Sequence, residues 1–135
     1  MVRQVRKRPP AIRTDVCQVR PVTLIPKPLD RPDRTVLALP ADIDFCTAEA
    51  LFLHVMSVVD THPGPLRILV LDLTGNRFMD SQGARLIDTV RRGVPPRVRV
   101  RVVAAPDGMA SRVLELTGLR RDVPVYSDLS EALAF

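Results

Sequence analysis

The stretch RILVLDLTGNRFMDSQGARLID, residues 67–88, decides the fold of this chain. Residues 68–73 form an apolar run without alternation, broken only by Asp72, and this predicts a central strand that is covered on both faces. A short turn follows, and a helical pattern begins after Asp80 and Ser81. A buried strand therefore delivers a serine hydroxyl, with a carboxylate before it, to the start of a helix.

Strands and helices alternate on either side of this stretch. We predict strands over residues 16–25 (an edge strand), 35–39, 68–73, 97–103 and 123–126. We predict helices over residues 48–61, with Thr47 as N-cap, over 82–92, from Asp107 to about 117, and from Asp128 to the end. This order predicts an α/β fold with a four- to five-stranded, mostly parallel sheet and about four helices.

Charge divides the chain into two parts. Residues 1–34 carry nine Lys and Arg against three Asp, whereas residues 35–135 carry eleven Arg against twelve acids, within a total of +5. Residues 1–15 are basic and proline-rich, and we predict that they are a disordered extension of a domain that spans residues 16–135.

The expected surroundings are those of a cytoplasmic protein. No run approaches the roughly 18 apolar residues of a membrane span, and the basic N-terminus lacks the apolar segment of a secretory signal. Cys17 and Cys46 have neither metal-ligand spacing nor a disulfide pattern, so we expect two reduced thiols.

Ser81 has two interpretations. The free amides of a helix N-terminus attract anions, so a phosphoryl group on Ser81 would be well solvated there and would add about −1.5 to −2 charges beside Asp80. Alternatively, Ser81 is only the N-cap of the helix, a role worth about 1 kcal/mol. Residue type and position alone favour the N-cap.

The motifs argue against a hydrolase site, a nucleotide-binding loop and a metal site. The context MDSQG is not the G-x-S-x-G of a hydrolase, and only His54 and His62 could act as a base. Neither nucleotide-binding glycine pattern is present. Four aspartates near the predicted strand ends could converge on a metal: Asp42, Asp44, Asp72 and Asp80. A simpler explanation is that Asp42 and Asp44 cap the next helix and that Asp72 supports the turn. We therefore predict no catalytic residue, no metal and no cofactor.

The basic features leave nucleic-acid binding as an alternative. Arg97, Arg99 and Arg101 alternate with valines on a predicted strand, so they form one wet, basic face, and the N-terminal extension adds further charge. The chain has one Tyr, four Phe and no Trp, which argues against a base-stacking platform.

From residue 35 onwards, the chain resembles STAS domains of the bacterial anti-sigma factor antagonist group. Three ordered segments carry the resemblance: LPADIDFCTAEAL (39–51), VLDLTGNRFMDSQGARLI (70–87) and LELTGLRRDVPVYSDLSEAL (114–133). Two positions depart from the family pattern, since Pro40 replaces a usual Gly and Gln82 replaces a common Ser.

The resemblance implies a non-enzymatic partner switch. The unmodified antagonist would bind an anti-sigma factor that is also a serine kinase, and would so free a sigma factor. The kinase would phosphorylate Ser81 with ATP and release the complex, and a PP2C-type phosphatase would reset it. The partner-binding residues carried over by motif are Asp44, Asp80, Ser81, Gln82 and Gly83. A constitutive STAS scaffold, in which Ser81 is never modified, is the other alternative.

Overall fold

The structure, a computed structural model, describes residues 24–134. Its strands are β1 (Arg34–Ala38), β2 (Asp42–Ile43), β3 (Ile68–Asp72), β4 (Phe78–Met79), β5 (Arg99–Val103) and β6 (Val125–Tyr126). Its helices are α1 (Phe45–Thr61), α2 (Ser81–Gly93), α3 (Met109–Leu116) and α4 (Leu129–Leu133), with a 3-10 turn at Leu119–Arg121. The predicted α/β class and the number of helices are confirmed.

Four strands form the main sheet in the order β1-β3-β5-β6, and every neighbouring pair is parallel. The central strand β3 is the apolar run of the opening stretch, and its first four residues are buried. A second sheet, which the sequence did not predict, consists of the two short parallel strands β2 and β4.

Both faces of the main sheet are covered. Leu37, Leu69, Leu71 and Val102 contribute to the larger core, which also includes residues of α1, α2 and α3. On the other face a smaller core contains side chains from β1, β3, β5 and α4: Val36, Ile68, Val70, Val103 and Ala132. Burial on both faces explains why β3 shows no alternation.

Two helices begin earlier than the sequence predicted. The N-cap of α1 is Asp44 and not Thr47, whose hydroxyl instead accepts a hydrogen bond from the Asp44 amide at 3.1 Å in a capping box. The N-cap of α2 is Asp80, whose carboxylate accepts from the Gln82 amide at 2.9 Å. Asp44 therefore caps a helix as predicted, whereas Asp42 lies in β2 and caps none.

The C-terminal half holds further differences. Helix α3 begins after Gly108 without a side-chain cap, so Asp107 does not open it. Leu116, the last residue of α3, is 79% exposed, whereas Ala110, Ser111 and Leu114 of the same helix are buried. Gly118 follows with φ of 78°, a left-handed conformation that glycine adopts without strain.

The predicted wet, basic face of β5 is only partly confirmed. Arg99 is exposed, but Arg101 is only 7% exposed because the end of α4 covers it. Its Nη1 donates to the carbonyls of Ala132 at 2.8 Å and Ala134 at 2.6 Å. Arg101 therefore satisfies carbonyls at the C-terminal end of α4 instead of facing solvent.

Two expectations concern the thiols and the N-terminus. Cys46 is disulfide-bonded, so the expectation of a reduced thiol is wrong at this position. Cys17, residues 1–15 and most of the predicted edge strand 16–25 lie outside the described residues. None of the helices within residues 24–134 combines the length and apolar character needed to cross a bilayer.

Candidate functional site

The site begins where β3 ends. The carboxylate of Asp72 accepts from the Thr74 amide at 2.9 Å and from the Thr74 hydroxyl at 2.7 Å, so it supports the turn as predicted. This turn directs the chain away from the main sheet and into β4.

Asn76 fixes the position of the loop that carries β4. Its side-chain amide nitrogen lies within hydrogen-bond distance of three carbonyl oxygens, those of Pro40 at 3.2 Å, Ala41 at 3.1 Å and Phe78 at 2.9 Å. The first two belong to the loop between β1 and β2. A single side chain therefore ties together the two loops that precede the capping aspartates, a role that no sequence pattern indicated.

The register of the small sheet then brings the two aspartates side by side. Asp42 pairs with Phe78, and Ile43 pairs with Met79. The next residues on each strand are Asp44 and Asp80, and the Asp80 amide donates to the Ile43 carbonyl at 3.3 Å. Helices α1 and α2 consequently begin next to each other, each capped by an aspartate.

Ser81 is the first residue of α2, not its cap. Since the carboxylate of Asp80 performs the capping, the Ser81 hydroxyl has no hydrogen-bond partner among residues 24–134, and the side chain is exposed. The interpretation of Ser81 as an N-cap is therefore wrong. A hydroxyl that is exposed and unengaged at a helix start is accessible to a modifying enzyme.

Gly83 allows α2 to start close to the small sheet. A Cβ at this position would overlap the Met79 side chain at Cγ, would lie 2.8 Å from Met79 Sδ, and would lie 3.3 Å from Ile43 Cγ2. Gly83 is buried, whereas Gln82 is half-buried at the surface. Among the carried-over positions, Gly83 thus determines the placement of its neighbours and does not itself present a side chain.

Two exposed aromatic residues border the acidic helix starts. Phe45, which follows Asp44, is 64% exposed, and Phe78, which precedes Asp80 by two residues, is 43% exposed. Exposed aromatic side chains of this kind are typical anchors of protein–protein interfaces. No sequence pattern indicated this role, although both residues flank the motif aspartates in the sequence.

A groove of about 300 Å³ opens beside Ser81. Its walls come from α2 and from the turn after α3, and its lining includes Ser81, Arg85, Asp88, Gly118 and Asp122. Asp88 is held by Arg91 at 2.6 Å and Arg92 at 2.8 Å. Arg85 lies one helical turn after Ser81 and makes no ion pair within the described part of the chain.

The structure does not bring together a catalytic set around Ser81. His62 is the C-cap of α1, about 25 Å along the helix from Asp44 at its other end, and His54 lies in the middle of that helix. Within residues 24–134, no group of three or more His, Cys, Asp or Glu side chains is arranged to hold a metal ion. What the site offers is a surface with acidic, hydroxyl and aromatic groups.

The fold and this surface together define a class of protein. The family model for the STAS domain matches residues 27–132, which is well over half of the chain. The chain belongs to the STAS domain family.

Solved structures agree with this assignment. A protein described as an anti-sigma factor antagonist from Mycobacterium paratuberculosis is 29% identical, with a TM-score of 0.70 over 82% of this chain and 90% of that chain. The anti-sigma factor antagonist SpoIIAA in its unphosphorylated form is 16% identical, with a TM-score of 0.62 over 82% of this chain and 93% of that one. The phosphorylated form of SpoIIAA, a Bacillus cell fate determinant, is 16% identical, with a TM-score of 0.55 over 82% and 96%. A comparison with curated protein sequences gave no match.

Proposed function

We propose that this chain is a cytoplasmic, non-enzymatic anti-sigma factor antagonist whose affinity for its partner is set by phosphorylation of Ser81. The observation that carries the proposal is the exposed and unengaged Ser81 hydroxyl, next to the capping carboxylate of Asp80. The mycobacterial protein that is 29% identical is described as an anti-sigma factor antagonist, which supports the same role here.

The partner of the unmodified form would be an anti-sigma factor that is also a serine kinase. In the proposed complex, Phe45 and Phe78 supply buried apolar contact, while Asp44, Asp80 and Gln82 supply polar contacts around them. Gly83 acts indirectly, because its missing side chain lets the start of α2 sit against β2 and β4.

Phosphorylation would change this surface without changing the fold. The phosphoryl group adds about −1.5 to −2 charges next to two aspartates, and the free amides of the α2 N-terminus partly offset that charge within the chain. A partner surface matched to the unmodified site would then face a concentrated negative charge. Each 1.4 kcal/mol lost from the interface lowers the affinity about tenfold. A PP2C-type phosphatase would restore the binding form.

SpoIIAA supports the idea that this fold accommodates such a change. It is described in both unphosphorylated and phosphorylated forms, and both share the fold of this chain.

The proposal is tested with three serine variants and the cognate anti-sigma kinase. Ser81→Asp is expected to weaken binding at least tenfold, whereas Ser81→Ala is expected to bind as the unmodified protein does and to resist release by ATP. Ser127→Asp is the matched control, because Ser127 is also exposed but lies in the turn before α4. Isothermal titration calorimetry measures the three affinities.

Mass spectrometry after incubation with the kinase and ATP identifies the modified residue. A phosphate on Ser81 and on no other residue agrees with the proposal. A phosphate elsewhere, or none, together with equal affinities of Ser81→Asp and Ser81→Ala, would instead indicate a constitutive scaffold.

A further inference from the structure

A second charged surface lies at the opposite end of the main sheet from Ser81. The charged residues that line a cleft of about 510 Å³ there are five arginines and one aspartate, beside Ile68 and Pro96: Arg34, Arg67, Arg97, Arg99, Arg101 and Asp33. Its local charge is therefore +4, on a domain whose residues 35–135 carry a net −1. The proposed partner switch uses none of these residues.

The topology of the sheet creates the cleft. Strands β1, β3 and β5 are parallel neighbours, and Arg34, Ile68 and Arg99 are aligned at their first positions. All three strands therefore begin at the same end of the main sheet. Ser81 comes after β3 in the chain and lies near the opposite end. The Arg67 amide donates to the Asp33 carbonyl at 2.8 Å, and the Arg99 amide donates to the Arg67 carbonyl at 2.8 Å, which places these residues side by side.

Two of the five arginines are accounted for by the fold. The side chain of Arg34 is 5% exposed, and its Nε lies 3.3 Å from a carboxylate oxygen of Asp33. Arg101 donates to the two carbonyls at the end of α4. Their guanidinium groups are held in place, and they form the back of the cleft.

The other three arginines lack a structural role. Arg67, Arg97 and Arg99 are exposed, and across residues 24–134 none of them makes an ion pair. Arg67 directly precedes β3, Arg99 begins the neighbouring strand β5, and Arg97 lies two residues before Arg99. Neighbouring strands lie only about 4.8 Å apart, so like charges at their starts repel. An anion bound between the three guanidinium groups would relieve this repulsion.

We propose that this arginine cleft binds a small ligand through a pyrophosphate group. Arginine presents a planar fork of donors that matches phosphate oxygens, and two adjacent phosphates offer enough acceptors for several guanidinium groups. The volume of the cleft falls within the range of small-molecule sites. Among residues 24–134 no aromatic side chain lines the cleft, so recognition would rest on the phosphates and not on a stacked base.

The test is a titration of the full chain with inorganic pyrophosphate at low salt. Isothermal titration calorimetry measures the Kd. Arg99→Gln and Arg67→Gln are each expected to raise Kd at least tenfold. Arg112→Gln is the matched control, since it removes the same charge from an exposed position outside the cleft and is expected to change Kd less than twofold. Circular dichroism melting confirms that each variant is folded.

The outcomes separate this proposal from its alternatives. Binding that depends on Arg67 and Arg99 but is unchanged in Ser81→Asp supports a separate pyrophosphate site. No binding at millimolar pyrophosphate overturns the proposal. It is also overturned if Arg112→Gln loses as much affinity for pyrophosphate as the cleft variants do, which would show diffuse charge attraction. Tighter binding of a single-stranded oligonucleotide with the same arginine dependence overturns it in favour of a nucleic-acid surface.

Discussion

Asp80 and Ser81 divide two tasks between adjacent residues. The carboxylate satisfies the free amide of Gln82 at the start of α2, and the hydroxyl one position later remains exposed and unengaged. A serine that capped the helix itself would hold its hydroxyl in a hydrogen bond needed for stability. The shift of the cap by one residue therefore separates helix stability from the chemistry available at Ser81.

This division predicts unequal effects of two alanine substitutions. Asp80→Ala removes the side chain that caps α2 and is expected to lower the free energy of unfolding by about 1 kcal/mol. Ser81→Ala removes no hydrogen bond of the described structure and is expected to change it by less than about 0.5 kcal/mol. Urea denaturation followed by circular dichroism measures both. A larger loss of stability in Ser81→Ala than in Asp80→Ala would show that Ser81 caps the helix.

Gly83 gives a second prediction at the scale of one residue. Gly83→Ala would gain helix propensity of roughly 0.5–1 kcal/mol, but its Cβ would overlap the fully buried Met79 side chain. Overpacking of a buried site typically costs about 1–3 kcal/mol, so a net destabilisation is expected.

Gly75→Ala is the matched control for Gly83→Ala, because, apart from its two chain neighbours, no atom of residues 24–134 lies within 4 Å of the position that its added methyl would occupy. Its free energy of unfolding is expected to stay within about 0.5 kcal/mol of the unsubstituted protein, as measured by urea denaturation. Equal stability of the two variants would show that Met79 moves aside at little cost.

At the scale of elements, the small sheet is what assembles the site. Strands β2 and β4 have two residues each, yet their parallel register places Asp44 beside Asp80, and the side chain of Asn76 holds their loops together. Strands this short are not stable alone, so their position depends on the loops and on the packing of Met79 and Ile43 in the core.

Arg101 performs a comparable role for α4. This helix has five residues, too few to be stable alone, and Arg101 satisfies carbonyls at its end through a buried guanidinium. Arg101→Met preserves an unbranched apolar stem at this position but removes both hydrogen bonds to α4. The expected loss is about 1.5–3 kcal/mol, together with faster amide exchange over residues 129–134.

Arg99→Met provides the control for Arg101→Met on the same strand. Arg99 is exposed and makes no ion pair among residues 24–134, so its replacement is expected to change the free energy of unfolding by less than about 0.5 kcal/mol. Hydrogen exchange and urea denaturation compare the two variants. Equal losses would mean that general strand packing, and not the bonds to α4, gives Arg101 its effect.

The elements that the sequence predicted well are those with a clear apolar pattern over several residues. The apolar run of β3 and the helix predicted over residues 48–61, which contains the buried Val55, required no tertiary information. The two-residue strands β2 and β4 have no period to detect, so they were missed. Arg101 was misplaced because alternation indicates which residues share a face, but not that a later helix covers part of that face.

The candidate site shows the same limit. The motif located Ser81 and Asp80, since strand, turn and helix follow each other locally in the sequence. The contributions of Asn76 and of Phe45 depend on a contact between loops about 35 residues apart and on exposure in the folded state. Both are properties of the assembled structure, which single-sequence patterns do not encode.

At the scale of the whole molecule, charge separates two ends of the sheet. One end presents Asp44, Asp80 and exposed aromatic residues, and the other presents the arginine cleft. A phosphate on Ser81 would increase this difference, because it adds negative charge beside Asp44 and Asp80. Long-range attraction to other molecules would therefore depend on which end they approach.

The N-terminal residues supply a further prediction at this scale. Residues 1–15 contain five Lys and Arg against one Asp, so their deletion lowers the net charge of the chain from +5 to +1. The proposed partner surface draws its contacts from residues 44–45 and 78–83, all within residues 24–134. Deletion of residues 1–15 is therefore expected to change the affinity for the anti-sigma factor less than threefold. Weak binding to nucleic acid is expected to decrease, because fewer basic side chains contact phosphates and fewer counterions are released from the nucleic acid.

Calorimetry with the anti-sigma factor and a salt-dependent filter-binding assay with a mixed-sequence oligonucleotide measure the two effects on the same deletion variant. The unsubstituted chain and Arg112→Gln serve as references, the second because it removes one charge without shortening the chain. A tenfold loss of anti-sigma affinity on deletion would place the N-terminal segment in the interface. Unchanged affinity, with a shallower salt dependence for nucleic acid, would assign the basic segment to general electrostatic attraction and leave partner switching to the surface around Ser81.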